Sequence, residues 1–179
     1  MLGLKREKPP MLTAAEGLHA WAVAHARARA LYAEMGAPDT VEGRFELLTL
    51  HVLLVMDRLK SGGAPAAVLR QQLFDVYLSD LDGAMREMGV GDLAMGKRMR
   101  KLGEAFYGRA KAFDLALEAL PERAPLNALI ARTALAGEPA KTAETLSRYV
   151  IDCRFRLAAL PDAGLLGGVV DTWEEPRDD

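Results

Sequence analysis

The sequence predicts an all-α fold: a single-domain bundle of about six helices packed around a central apolar helix at about residues 41–60. Three observations lead there. Gly and Pro fall mostly between periodic segments, apolar residues recur at helical spacing within those segments, and no stretch alternates convincingly at period two. The 179 residues suit one domain, a size that buries roughly 70% of the surface its unfolded chain exposes.

The first helix is expected from Thr13, as N-cap, to about Met35, before the breaker Gly36-Ala37-Pro38. Asp39-Thr40-Val41-Glu42 has the pattern of a capping box and opens the second, central helix, which runs to about Lys60 and the Ser61-Gly62-Gly63 stop. Pro65 suits the first turn of a third helix reaching Met88. A fourth spans Leu93 to Leu120, and a short fifth starts at Pro125 and ends near Gly137. The sixth runs from about Lys141 to Leu160, with Leu146, Val150, Cys153, Leu157 and Leu160 as its apolar stripe. Residues 1–160 thus form the helical domain. Residues 161–179 read as a loosely ordered tail, Gly-rich and then acidic, with Val169, Val170 and Trp173 free to dock back.

Composition narrows the function. A net charge of −2 gives no general attraction to nucleic acid, so such contact would need a local patch, and no DNA partner is expected. The single cysteine, Cys153, excludes an internal disulfide and reads as an inert core thiol. No signal-peptide pattern is visible, and the most apolar window, Phe45 to Leu59, is interrupted by Glu46, His51, Asp57 and Arg58 and falls short of the about 20 residues a membrane span needs. The expected location is the cytoplasm, at most at the inner face of its membrane.

One stretch, MREMGVGDLAMGKRMRK at 85–101, poses the main question. Its Gly89-Val90-Gly91 is not a dinucleotide fingerprint, because a helix and not a strand precedes it, and Gly96-Lys97 lacks the Ser/Thr of a phosphate loop. It reads instead as a helix stop and restart, with Gly89 left-handed at C′ and Asp92 as the next cap. Beyond the turn, Met95, Met99, Leu102 and Phe106 form an apolar stripe, so Lys97, Arg98, Arg100 and Lys101 project elsewhere as a basic arc. Such an arc is either solvated surface or a dock for RNA, acidic protein or lipid headgroups. Met88, Met95 and Met99 are core filler or the lining of an adaptable groove.

Charges also stand at otherwise apolar positions. Arg44, His51 and Arg58, spaced seven apart, share a face of the central helix, and Asp80 and Glu87 do the same on the third. An antiparallel pairing of the two predicts a partly buried Arg44–Asp80 ion pair and His51 near Phe74 and Tyr77. This set is either a structural network or an acid–base site. Arg109, on the apolar side of the fourth helix, needs an acid from a neighbour, and Gly108 would let that neighbour approach. No metal-ligand spacing or nucleophile motif is present, so no catalytic residue, metal or cofactor is assigned.

DTVEGRFELLTLH (39–51), LSDLDGAMREMGVGD (78–92) and GEAFYGR (103–109), with Gly96-Lys97 between the last two, together resemble the ubiquinol–cytochrome c chaperone family. The resemblance implies a non-enzymatic, all-helical assembly factor for the cytochrome bc complex, here a bacterial member. Its implied partners are newly made cytochrome b, the ribosome and a small protein companion. The signature residues it implies are Asp39, Gly43, Arg44, His51, Asp80, Asp82, Arg86, Glu87, Gly89, Gly91 and Asp92, together with Lys97, Tyr107, Gly108 and Arg109. The candidate partner-binding residues are Met88, Met95, Lys97, Arg98, Met99, Arg100 and Lys101. Two other readings stand beside this one: a peripheral membrane- or RNA-binding module using the basic face, and a helical enzyme using Arg44, His51 and Asp80.

Overall fold

The computed structural model describes residues 8–138 and 140–170. Among them the regular structure is entirely helical: α1 (Pro10–Ala26), α2 (Arg29–Ala33), α3 (Val41–Leu59), α4 (Gly63–Glu87), α5 (Asp92–Glu118), α6 (Ala124–Arg132), α7 (Glu144–Ala159) and α8 (Asp162–Leu166), with a 3-10 turn at Ala140–Ala143. The apolar helix α3 is the axis of the bundle and packs against α1, α4, α5 and α7. Leu47, Val52, Leu54 and Val55 have no exposed surface, as a helix apolar on most sides requires.

Several boundaries differ from the sequence reading. The first helix is two pieces, since the chain turns at Arg27-Ala28 without Gly or Pro. Thr13 lies inside the first turn of α1, preceded by Pro9 as N-cap. Tertiary packing causes the break: the turn buries Leu31 completely and brings the Tyr32 hydroxyl to donate to Ala26 O at 2.7 Å. That bond occupies a carbonyl left without a helical partner. At α3 the cap is Thr40, not Asp39, with the Gly43 amide donating to Thr40 Oγ1 at 3.1 Å. Asp39 instead accepts from Arg44 Nε at 2.6 Å. Asp92 likewise is the first residue of α5 behind the N-cap Gly91, and it makes no side-chain cap.

Two glycines mark close backbone approaches. A Cβ on Gly43 would lie 2.0 Å from Pro38 O, so the start of α3 can fold under residue 38 only with glycine there. Gly168, with φ +75°, sits against Ala14 of α1, where a Cβ would meet the Ala14 Cα at 2.6 Å. Residues 161–170, part of the stretch read as a loose tail, therefore have a seat: α8 buries Leu165 and Val170 is buried beyond it, while Val169 is exposed. The acidic run 171–179 and Trp173 lie outside the described residues.

The α3–α4 pair is antiparallel in the anticipated register, but α3 is rotated about its axis. Thr49, not His51, meets Tyr77: Thr49 Oγ1 donates to Phe45 O at 2.8 Å and accepts from the Tyr77 hydroxyl at 2.8 Å. His51 faces the opposite way, toward α1 and α7. Its ring lies 6.1 Å from Trp21, 6.2 Å from His25 and 5.7 Å from Tyr149, centroid to centroid. Cys153 is buried on α7, and burial raises its thiol to about 11.

Candidate functional site

The turn at 88–92 is a helix stop, built from backbone. Gly89 takes φ +83°, its amide donates to Arg86 O at 2.9 Å, and the Val90 amide donates to Met85 O at 3.0 Å. These are the two bonds of a Schellman motif, which accounts for the glycine without any phosphate. Arg86 ties the turn down, its Nε on Asp82 at 2.7 Å and its Nη1 on Asp92 at 2.6 Å. Those two carboxylates hold its guanidinium above its ordinary pKa. Asp82, Arg86, Gly89 and Asp92 thus form one structural unit.

Past the turn, Met95 is buried, Met99 and Leu102 are half-buried, and Phe106 is in the core. Lys97, Arg98, Arg100 and Lys101 are all exposed. None makes an ion pair or hydrogen bond among the described residues. Four like charges without partners repel one another slightly, and helix stability does not call for them.

An apolar groove of about 440 Å³ reaches the α4–α5 turn, walled by α1, α2, α3, the end of α4 and Leu102 of α5. Val23, Phe45, Leu48, Leu81, Met85 and Met88 form much of its surface. Val41 at its edge is 61% exposed and Met88 is 58% exposed, so the groove presents large apolar groups to solvent. Of the three methionines proposed as a lining, only Met88 takes part. Met95 is buried away from the groove, Met99 does not line it, and Met85 takes their place. Phe45, Leu48 and Leu81 went unrecognised because each reads as ordinary core in a helical stripe; only the bend between α1 and α2 leaves them open.

The proposed Arg44, His51 and Asp80 set is not assembled. Arg44 is exposed and bound to Asp39, which lowers the Asp39 carboxyl and raises the guanidinium. Asp80 is half exposed and sits 3.8 Å from His19 Nε2, because α1 occupies the side of α4 that would have faced Arg44. Burial lowers His19, with Asp80 opposing it. Glu87 is exposed as well. His51 is wholly buried: Nδ1–H donates to Leu47 O at 2.7 Å and Nε2 accepts from the Tyr149 hydroxyl at 2.7 Å. A carbonyl can only accept, so these bonds fix the neutral tautomer. Burial lowers its pKa to about 4. With both nitrogens engaged and no open face, His51 cannot reach a substrate. Arg58 also has a structural post, donating to Leu157 O, Leu160 O and Asp162 Oδ1 across the α7–α8 junction.

The acid that Arg109 requires is Glu46 of α3. Arg109 Nε bonds Glu46 Oε2 at 2.7 Å, Nη2 bonds Oε1, and the guanidinium lies 5.5 Å from the Phe45 ring centroid. Glu46 raises the Arg109 guanidinium, and a bidentate pair of this kind fixes both distance and rotation between α3 and α5. Gly108 is exposed, and a Cβ there would meet nothing, so it admits no neighbouring helix among the described residues. Tyr107 is 61% exposed and leans on Phe74 at 5.4 Å.

Among the described residues no group of three or more His, Cys, Asp or Glu side chains could hold a metal ion. No described helix is long and apolar enough to cross a membrane. The described residues form a helical bundle with an open apolar groove and, on α5, an exposed basic arc. The model of the ubiquinol–cytochrome c chaperone family matches residues 33–173, and the chain belongs to that family, whose members are assembly chaperones of the cytochrome bc complex. It is similar to the Cbp3 homolog from Brucella abortus, known from a crystal structure, at 34% identity over 90% of this chain and 89% of that one, with a TM-score of 0.79. No curated protein matches it.

Proposed function

We propose that this chain binds newly made cytochrome b and holds it for assembly into the cytochrome bc complex, without catalysing a reaction. The apolar groove beside the α4–α5 turn is the observation that carries the proposal. A membrane-protein client emerges with apolar segments that water cannot solvate, and a groove walled by flexible methionine and leucine side chains takes such a segment without demanding one sequence. Membership of a chaperone family supports the non-enzymatic part, as does the packing of His51 away from any opening.

The basic arc of Lys97, Arg98, Arg100 and Lys101 supports a second contact with an anionic surface, in this reading the ribosome. A small protein companion or the membrane face are the other partners it suits. Work at the inner face of the cytoplasmic membrane, in a bacterial cell, belongs to the same proposal.

The test is co-purification from a respiring bacterium expressing tagged wild type, the exposed groove variant Met88→Glu, or the four-residue charge reversal of the arc. Wild type should retain cytochrome b, and Met88→Glu should lose it while remaining folded by circular dichroism. Retention by the charge-reversed protein would limit the arc to solvated surface. Failure of wild type to retain cytochrome b would refute the client assignment.

A further inference from the structure

The groove does not end in apolar surface. It opens into a second concavity of about 650 Å³, lined by Arg27, Arg29, Tyr32, Ala33, Asp39 and Arg44, and the two share Arg27, Tyr32 and Arg44 as a common wall. Three of those six residues are arginines against a single acid. Arg27 is exposed, and its side chain makes no ion pair or hydrogen bond among the described residues. Arg44, 64% exposed, uses only its Nε, on Asp39 Oδ1 at 2.6 Å, so its Nη edge is open. The Tyr32 hydroxyl points inward to Ala26 O and does not compete for these donors.

We propose that the client segment bound in the groove carries a carboxylate beside its apolar stretch, and that Arg27 and Arg44 receive it. The inference rests on the groove being the client site. Planar guanidinium groups match a carboxylate edge, and the chain already supplies one: Asp39 on Arg44 occupies the position the guest's acid would share or take. The groove has room for a few side chains, the anchors of a helix laid along it at i, i+3 or i+4 and i+7. Glu42 and Asp80 also stand on its wall. Together with Asp39 they oppose a broad anionic surface but leave one localised carboxylate a place between the arginines. A peptide acid is therefore favoured over a lipid headgroup.

Two labelled helical peptides with the same apolar face, one ending in a glutamate pair and the other in a glutamine pair, test this by fluorescence anisotropy on the whole chain. The glutamate peptide should bind about tenfold more tightly at low salt, with the margin shrinking as salt rises. Arg27→Gln with Arg44→Gln should erase that margin, bringing the glutamate peptide's affinity level with the glutamine peptide's. Asp39→Asn, which removes the internal rival, should widen it. Met88→Glu should weaken both peptides together, so loss of the groove is distinguishable from loss of the anion contact. Equal affinity of wild type for the two peptides, or a preference that survives the double arginine variant, overturns the inference and leaves the groove reading standing. If neither peptide binds wild type, both fall. Arginine-dependent binding to vesicles containing anionic phospholipid, with no peptide preference, would reassign the concavity to a headgroup.

Discussion

His51 makes the stability of this bundle depend on pH in a calculable way. Its imidazole is neutral, wholly buried and doubly hydrogen-bonded, with a pKa of about 4 in the fold against 6.5 unfolded. Because the folded value is the lower one, the unfolded chain binds the proton first. Stability is then fully present above about pH 6.5 and is lost as pH falls toward 4. A difference of about 2.5 units is worth about 3 kcal/mol in all, and about 2 kcal/mol of that is gone by pH 5. The assay is urea unfolding of wild type and His51→Gln at pH 7 and pH 5. The variant should be less stable at pH 7 and should lose about 2 kcal/mol less than wild type between the two conditions. Carboxylates and His19 titrate in both proteins and cancel in that difference. Should His51→Gln not fold, Tyr149→Phe removes the hydroxyl on Nε2 at a cost of about 1–2 kcal/mol. An identical pH slope in wild type and His51→Gln would refute the reasoning.

Other expectations follow from single contacts. Thr40→Ala should cost about 1 kcal/mol by thermal or urea unfolding, and Asp39→Ala much less, because only the threonine caps α3. Gly43→Ala should destabilise by more than about 2 kcal/mol, since its Cβ would meet backbone, whereas Gly108→Ala should stabilise by about 0.5–1 kcal/mol. In a double-mutant cycle with Glu46→Gln and Arg109→Met, the coupling energy should reach about 1–2 kcal/mol, a value between exposed and buried ion pairs. Additive effects would show that the pair does not hold α3 to α5.

What the sequence revealed and what it hid divide along one physical line. Periodicity and breakers are local, so the central helix, the α4–α5 turn at Gly89 and the antiparallel register of α3 and α4 could all be read directly. Rotation of a helix about its axis is not local. Arg44, His51 and Arg58 share a spacing that suggested one face, but whether that face meets α4 depends on α1, which wedges against α4 and turns His51 toward α7. The break at Arg27-Ala28 carries no breaker residue and arises only because Leu31 and Tyr32 find burial and a partner once the fold exists. The groove depends on that bend, so its lining could not be found from the stripe alone. Asp39 and Thr40 show the limit within a single motif: both are good caps, and the choice was made by Arg44 drawing the aspartate away.

The seat of Gly168 on Ala14 has a consequence for the order in which the molecule comes into being. A segment near residue 168 closes against a helix that begins at residue 10, with no room for a side chain between them. Helix α1 therefore emerges during synthesis long before the piece that clasps it, and until residue 168 is made its start is held only from the other side. Full cooperativity arrives last. Hydrogen exchange on chains arrested before and after residue 168 should show protection at Ala14 to Leu18 rising only in the longer chain.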